Sequence, residues 1–111
     1  MIAKIGVYKK QNDETPTKEF VVHRIFMNVS QKIGDWLELG EAATNAAKAG
    51  DKDRLKEIDT EATEKIIEIF HALFDDFEDD DLYYIDQSEL RDFMLKLATN
   101  LQGGFETVRK N

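Results

Sequence analysis

Six of the seven residues from Asp75 to Asp81 are acidic, so any chemistry is sought here first. A calcium loop needs oxygen ligands at loop positions 1, 3, 5 and 12 and a glycine at 6. With Glu78 at position 1, Asp80, Asp86 and Glu89 fall at 3, 9 and 12, but Leu82 and Tyr83 occupy 5 and 6. A missing ligand and a bulky residue at the turn argue against a calcium site. A degenerate EF-hand-like module stays an alternative, and a solvated helix start is preferred. The histidines, His23 and His71, lie in no metal-ligand spacing. His71 and Asp75 are i,i+4 and could pair on one helix. Ser30 and Ser88 read as helix starts rather than a nucleophile elbow. Many carboxylates are present, but no sign of the buried pocket that would tune one for acid/base work. The expectation is a protein that is not an enzyme, with no cofactor and no metal.

The aromatic residues around the acidic run say more. Phe70, Phe74 and Phe77 lead into Leu82, Tyr83 and Tyr84, then Phe93. Most should be core. Tyr83 and Tyr84 are adjacent, so on a short helix they do not share one interior stripe. At least one is expected at the surface, and an aromatic ringed by carboxylates is a fair interface anchor. The candidate partner-binding set is Phe74, Phe77, Asp80, Asp81, Leu82, Tyr83 and Tyr84.

The elements that must position these residues are mainly helical. Residues 1–10 read as extended, with Ile2, Ile5 and Val7 apolar. The polar stretch Lys10 to Lys18 holds the only proline and reads as a loop. Phe20 to Phe26 is rich in β-branched and aromatic residues, which favours a strand and a small hairpin. Val22, Ile25, Phe26 and Val29 also fit helical spacing, so residues 20–27 stay open between strand and helix, with extended preferred. A helix capped by Asn28 or Ser30 follows, with Val29, Ile33, Trp36, Leu37 and Gly40 on one face. Gly50 should end it and Asp51 should cap the next. Leu55, Ile58, Ala62, Ile66, Ile67, Ile69, Phe70, Leu73 and Phe74 keep the helical period, and Glu61–Lys65 is an i,i+4 pair on the outer face. The acidic run should break that helix near Phe74 and start a short one from Asp79 to about Tyr84. Asp86 and Glu89 have capping-box spacing. Leu90, Phe93, Met94, Leu97, Ala98 and Leu101 line a last helix that Gly103-Gly104 should stop. The fold class is mainly α: one small helical domain with a short extended or β-hairpin N-terminal segment. Its parts are an extended arm at 1–27, a helical core at 28–104 and a flexible tail at 105–111.

The chain has 111 residues, no cysteine, and 23 acidic against 15 basic residues, a net charge of −8. That length suits one domain able to bury about two-thirds of its unfolded surface. Lack of cysteine excludes a disulfide scaffold and a thiolate site. The negative charge, without a basic stripe, disfavours nucleic acid and anionic membrane as partners. It leaves open an acidic inhibitor that mimics nucleic acid. High like charge also keeps a chain soluble while it displays apolar surface. No segment resembles a signal peptide or a membrane span, so a cytosolic location is expected.

The segment Ile66 to Gly104 resembles the tail assembly chaperones of long-tailed, siphovirus-type bacteriophages. The helix Ile66-Ile67-Glu68-Ile69-Phe70 runs into Leu73-Phe74. Phe77-Glu78-Asp79-Asp80-Asp81-Leu82-Tyr83 is similar to the family's aromatic-x-x-Asp-Asp-Leu step, and Glu89-Leu90 with Phe93 opens the last helix. Lys18 to Val22 and Lys32 to Leu39 are similar to the family's extended start and first helix. The Ala-rich stretch Ala42 to Ala49 and the loop at 10–18 have no counterpart. The resemblance implies a non-enzymatic chaperone that binds the phage tape measure protein before the tail tube polymerises around it. It also implies recruitment of tail tube protein, self-association into a homo-oligomer, residence in the host bacterial cytoplasm and absence from the mature virion.

Overall fold

The computed structural model describes residues 1–110, with side chains as far as Leu101. Two strands, β1 (Ala3–Val7) and β2 (Lys18–Val22), form an antiparallel hairpin in which Ile5 pairs with Phe20. Three α-helices follow: α1 (Met27–Ala49), α2 (Lys52–Leu73) and α3 (Gln87–Lys110). Between α2 and α3 lies one 3₁₀ helix, Asp79–Tyr84. The mainly helical domain with an N-terminal hairpin expected from the sequence is the fold observed. No helix among the described residues is long and apolar enough to cross a membrane.

The hairpin is part of the core and not an arm. Ala3, Ile5, Val7, Phe20 and Val22 are all buried in one cluster with the three α-helices. The period of 2 puts Ile5 and Phe20 on the inner face and Lys4 and Glu19 on the outer one. Gly6 is buried where Pro16 folds across it, and a Cβ there would lie 2.8 Å from the proline Cβ.

Residues 20–27 divide between the two readings: the strand ends at Val22 and the helix begins at Met27. Neither Asn28 nor Ser30 caps it. The Phe26 carbonyl accepts from the N–H groups of Val29 and Ser30, which closes the first turn without a side-chain oxygen. The expected arm–core boundary accordingly moves by one residue.

The turn between α1 and α2 is as the residue types require. Gly50 is left-handed, φ 70°, and its N–H bonds back to the carbonyls of Ala46 and Ala47. The Asp51 carboxylate then accepts from the Arg54 N–H at 3.0 Å. A Cβ at position 50 would meet nothing, so the cost of Gly50→Ala is conformational alone. The expected loss is about 1–2 kcal/mol in urea unfolding. A loss under about 0.3 kcal/mol would mean the turn relaxes into another conformation.

α3 continues past Gly103-Gly104 to Lys110. The expected stop is therefore not where the helix ends, since glycine costs a helix about 1 kcal/mol but does not forbid it. The backbone of residues 105–110, expected as a flexible tail, belongs to this helix, while residue 111 and the side chains beyond Leu101 lie outside what the structure describes.

The centre of the core is aromatic. Phe70 is fully buried, and the rings of Phe77, Phe93 and Phe74 lie 5.0, 5.3 and 5.7 Å from its own. Phe20 stacks on Phe74 at 4.7 Å, which locks the hairpin onto α2. Val29 and Ile33 of α1 and Phe93, Met94, Leu97 and Ala98 of α3 complete it.

Candidate functional site

The acidic run does what like charge predicts. α2 ends at Leu73, Phe74 turns extended, and the 3₁₀ helix starts at Asp79 with three aspartates in its first turn. Carboxylates there meet the positive end of the helix dipole. Phe77 points inward from the middle of the run and anchors it, 4% exposed.

One cation from the hairpin ties the run down. The Lys18 ammonium donates to the Asp76 carbonyl at 2.5 Å and to the Asp81 carboxylate at 2.9 Å. The other Asp81 contact is the Glu78 N–H, which donates to it at 3.0 Å. Burial opposes ionisation of Asp81, but these two donors outweigh it and hold its pKa below the ordinary 3.8. The hydrogen bond to Asp81 raises the Lys18 pKa in turn. A carboxylate with a depressed pKa stabilises the fold above its unfolded value and stops doing so as pH falls through the folded one. Asp81→Asn is therefore expected to cost about 1 kcal/mol at pH 7. The gap from wild type should close as pH drops below 3.8, measured by urea unfolding across acid pH. A gap that stays constant through that range would show that the ion pair is not its source.

Several local pairings expected from spacing are replaced by others. His71 contacts Asp79 rather than Asp75. Lys65 donates to Glu68 at 2.9 Å and faces Asp35 of α1 at 3.9 Å, while Glu61 pairs with Arg54 at 3.7 Å. The Glu61–Lys65 pair is thus not formed, because Lys65 bonds Glu68 and Glu61 faces Arg54. Asp86 caps α3 by accepting from the Glu89 N–H at 3.0 Å. The reciprocal half of the capping box is replaced, as the Glu89 carboxylate accepts from the Tyr8 hydroxyl at 3.0 Å. That bond to Glu89 raises the Tyr8 pKa above the ordinary 10.0.

The 3₁₀ helix ends beside the hairpin. The Tyr8 N–H donates to the Tyr84 carbonyl at 2.9 Å. This junction walls an open groove of about 990 Å³ between the hairpin loop and the start of α3. All three tyrosines of the chain, Tyr8, Tyr83 and Tyr84, line it. Tyr83 is 83% exposed and Tyr84 55%.

The candidate partner-binding set therefore separates. Phe74 and Phe77 are core, and Leu82 is half-buried against it. Asp81 is engaged by Lys18, while Asp80 is exposed. Tyr83 and Tyr84 stand at the surface together, where at least one was expected. Tyr8, Lys9 and Lys10 join them in the groove, which local spacing does not reveal.

The residues of the calcium alignment are occupied otherwise. Asp86 caps α3, Glu89 holds Tyr8, and the loop positions from Asp79 to Tyr84 form the 3₁₀ helix. Among the described residues no group of three His, Cys, Asp or Glu is placed to hold a metal ion.

No family model, no curated protein and no solved structure matches this chain. The site is therefore read on its own geometry: two exposed tyrosines at the end of a short 3₁₀ turn, with carboxylates before them in the chain and Lys9 and Lys10 in the same groove. Such a surface suits a protein partner, because tyrosine adds contact area at low entropic cost and flanking charge sets register.

Proposed function

We infer that the chain is a non-enzymatic tail assembly chaperone of a long-tailed bacteriophage. It binds the tape measure protein, keeps that long helical client soluble and helps bring tail tube subunits to it. It acts in the host bacterial cytoplasm and leaves before the virion is complete. The observation that carries this reading is the exposed Tyr83–Tyr84 pair beside the acidic run. An apolar anchor for a client is thereby combined with charge that keeps the complex soluble. The buried phenylalanines of the same stretch, Phe74 and Phe77, serve as the base that holds the turn in place.

Co-expression with a tape measure protein tests it. The client should move into the soluble fraction severalfold when this chain is present. Tyr83→Ala with Tyr84→Ala should lose most of that gain while melting within a few degrees of wild type. If the client aggregates equally with and without the chain, the reading fails.

A further inference from the structure

We propose that a second groove, between α1 and α2, is a docking site for a basic amphipathic helix of another protein. The groove is open, measures about 490 Å³ and shares no residue with the tyrosine surface. From α1 it is lined by Asp35, Glu38, Leu39 and Ala42, at i, i+3, i+4 and i+7. From α2 it is lined by Glu61, Glu64, Lys65 and Glu68, at the same spacing. Each set is one face of its helix, about 10 Å or two turns long. Leu39 and Ala42 are half-buried and supply the apolar surface, while both helices contribute carboxylates.

This part of the helix pair is thinly packed. After Ile33 the one buried residue of α1 is Ala46, and before Ile69 the one buried residue of α2 is Ile58. Neither belongs to the central cluster. A helix pair of this kind gains from a further element laid over its seam. The charges point the same way. Lys65 is the one cation lining the groove, and it is shared between Glu68 and Asp35. Glu61 faces Arg54. Among the described residues Glu38 and Glu64 face no cation. Five carboxylates against one lysine repel one another across the groove, and cations brought by a partner relieve that repulsion.

The occupant is a helix because of what the groove offers the backbone. The N–H and C=O groups in the middle of α1 and α2 are used in their own helical bonds, so an extended segment finds no ladder there. A helix brings its backbone bonds already made and packs its side-chain ridges into the groove. Its apolar stripe meets Leu39 and Ala42. Lys or Arg flanks that stripe on both sides, since both walls are acidic. A second copy of this chain is a poor occupant, because each copy carries a net charge of −8. Nucleic acid and anionic membrane are repelled for the same reason.

Fluorescence anisotropy of a labelled peptide tests the site on the intact chain. The probe is an amidated helix of about 18 residues, long enough to hold its own turns, built of leucine, alanine and lysine. Its leucines form one stripe and its lysines flank them. Saturable binding is expected below about 1 mM. A scrambled peptide of the same composition and charge, without the stripe, should bind at least about tenfold more weakly. Glu38→Gln with Glu64→Gln should weaken the probe by a similar factor without lowering the melting temperature, since it removes like charges. Ala42→Arg should abolish binding, because its guanidinium fills the groove and meets Glu38 at i,i+4. Glu14→Gln with Asp59→Asn, an equal change of charge at exposed positions outside the groove, should stay within about twofold of wild type. No binding up to about 1 mM overturns the proposal. So does a scrambled peptide that binds equally, which would be attraction of any polycation to an acidic protein. Binding that survives in the Glu38 and Glu64 double variant, or that falls as much in the control, overturns it too. The tyrosine surface takes no part in this assay, so its failure leaves the proposed function standing.

Discussion

Phe70→Ala should cost about 3–5 kcal/mol, the range for deleting a fully buried aromatic. Phe70 has no exposed surface and three phenylalanine rings within 5.7 Å, contributed by the residue that follows α2, the acidic run and α3. These neighbours are held by different elements, so they have little freedom to close over the gap. A domain of this size has about 5–15 kcal/mol in total. The variant should therefore melt at least about 12 °C lower, given roughly 4–8 °C per kcal/mol. Urea unfolding followed by circular dichroism checks it, with the midpoint falling and the slope unchanged. An effect under about 1 kcal/mol would mean the cluster repacks and is not the keystone of the core. Tyr83→Ala gives the contrast: an 83% exposed ring should change stability by less than about 0.5 kcal/mol.

The difference between those two aromatics was partly legible in the sequence. Phe70 sits in the last two turns of the longest regular apolar period, which is why its burial follows from spacing. The adjacency of Tyr83 and Tyr84 implied exposure for one of them, and the short 3₁₀ turn leaves both outside. Gly50 and Asp51 were legible because a left-handed stop and a carboxylate cap are local chemistry. So was the short helix from Asp79 to Tyr84, since clustered aspartates end one helix and start another. What spacing did not reveal is contact across the fold. Lys18 and Asp81 are sixty-three positions apart, Tyr8 and Glu89 eighty-one. Neither pair leaves a local signal, and without them the groove has only one wall. Exposed charges also choose among several partners at similar cost, which is why His71 and Lys65 pair elsewhere than i,i+4 spacing suggests.

The same limit explains the N-terminal segment, and it yields the prediction with the largest effect. Five apolar residues in two short strands read equally well as an arm or as a core hairpin, because a strand's own sequence does not say what it packs on. In the fold, Ala3, Ile5, Val7, Phe20 and Val22 are buried in one cluster with Phe74, Phe93 and Leu97, and Phe20 stacks on Phe74. Removing residues 1–24 takes all five away and opens that face to water. At about 1.5–3 kcal/mol for each of the four large buried side chains, the loss is about 6–12 kcal/mol, comparable to the whole stability of a small domain. The truncated chain should keep part of its helical circular dichroism yet lose a cooperative melt and bind ANS, as expected when packing is lost but helices persist. Phe20→Ala should move partway there, losing about 3–5 kcal/mol with the stacking on Phe74. A truncated chain that melts cooperatively near the wild-type temperature would mean the helices hold together alone. The hairpin would then be an appendage, free to reach a neighbour. A cooperative fold lost with the hairpin instead places Lys18, Tyr8, Lys9 and Lys10 on a fixed scaffold. On that scaffold the groove keeps one shape, and the tyrosines meet any partner already in position.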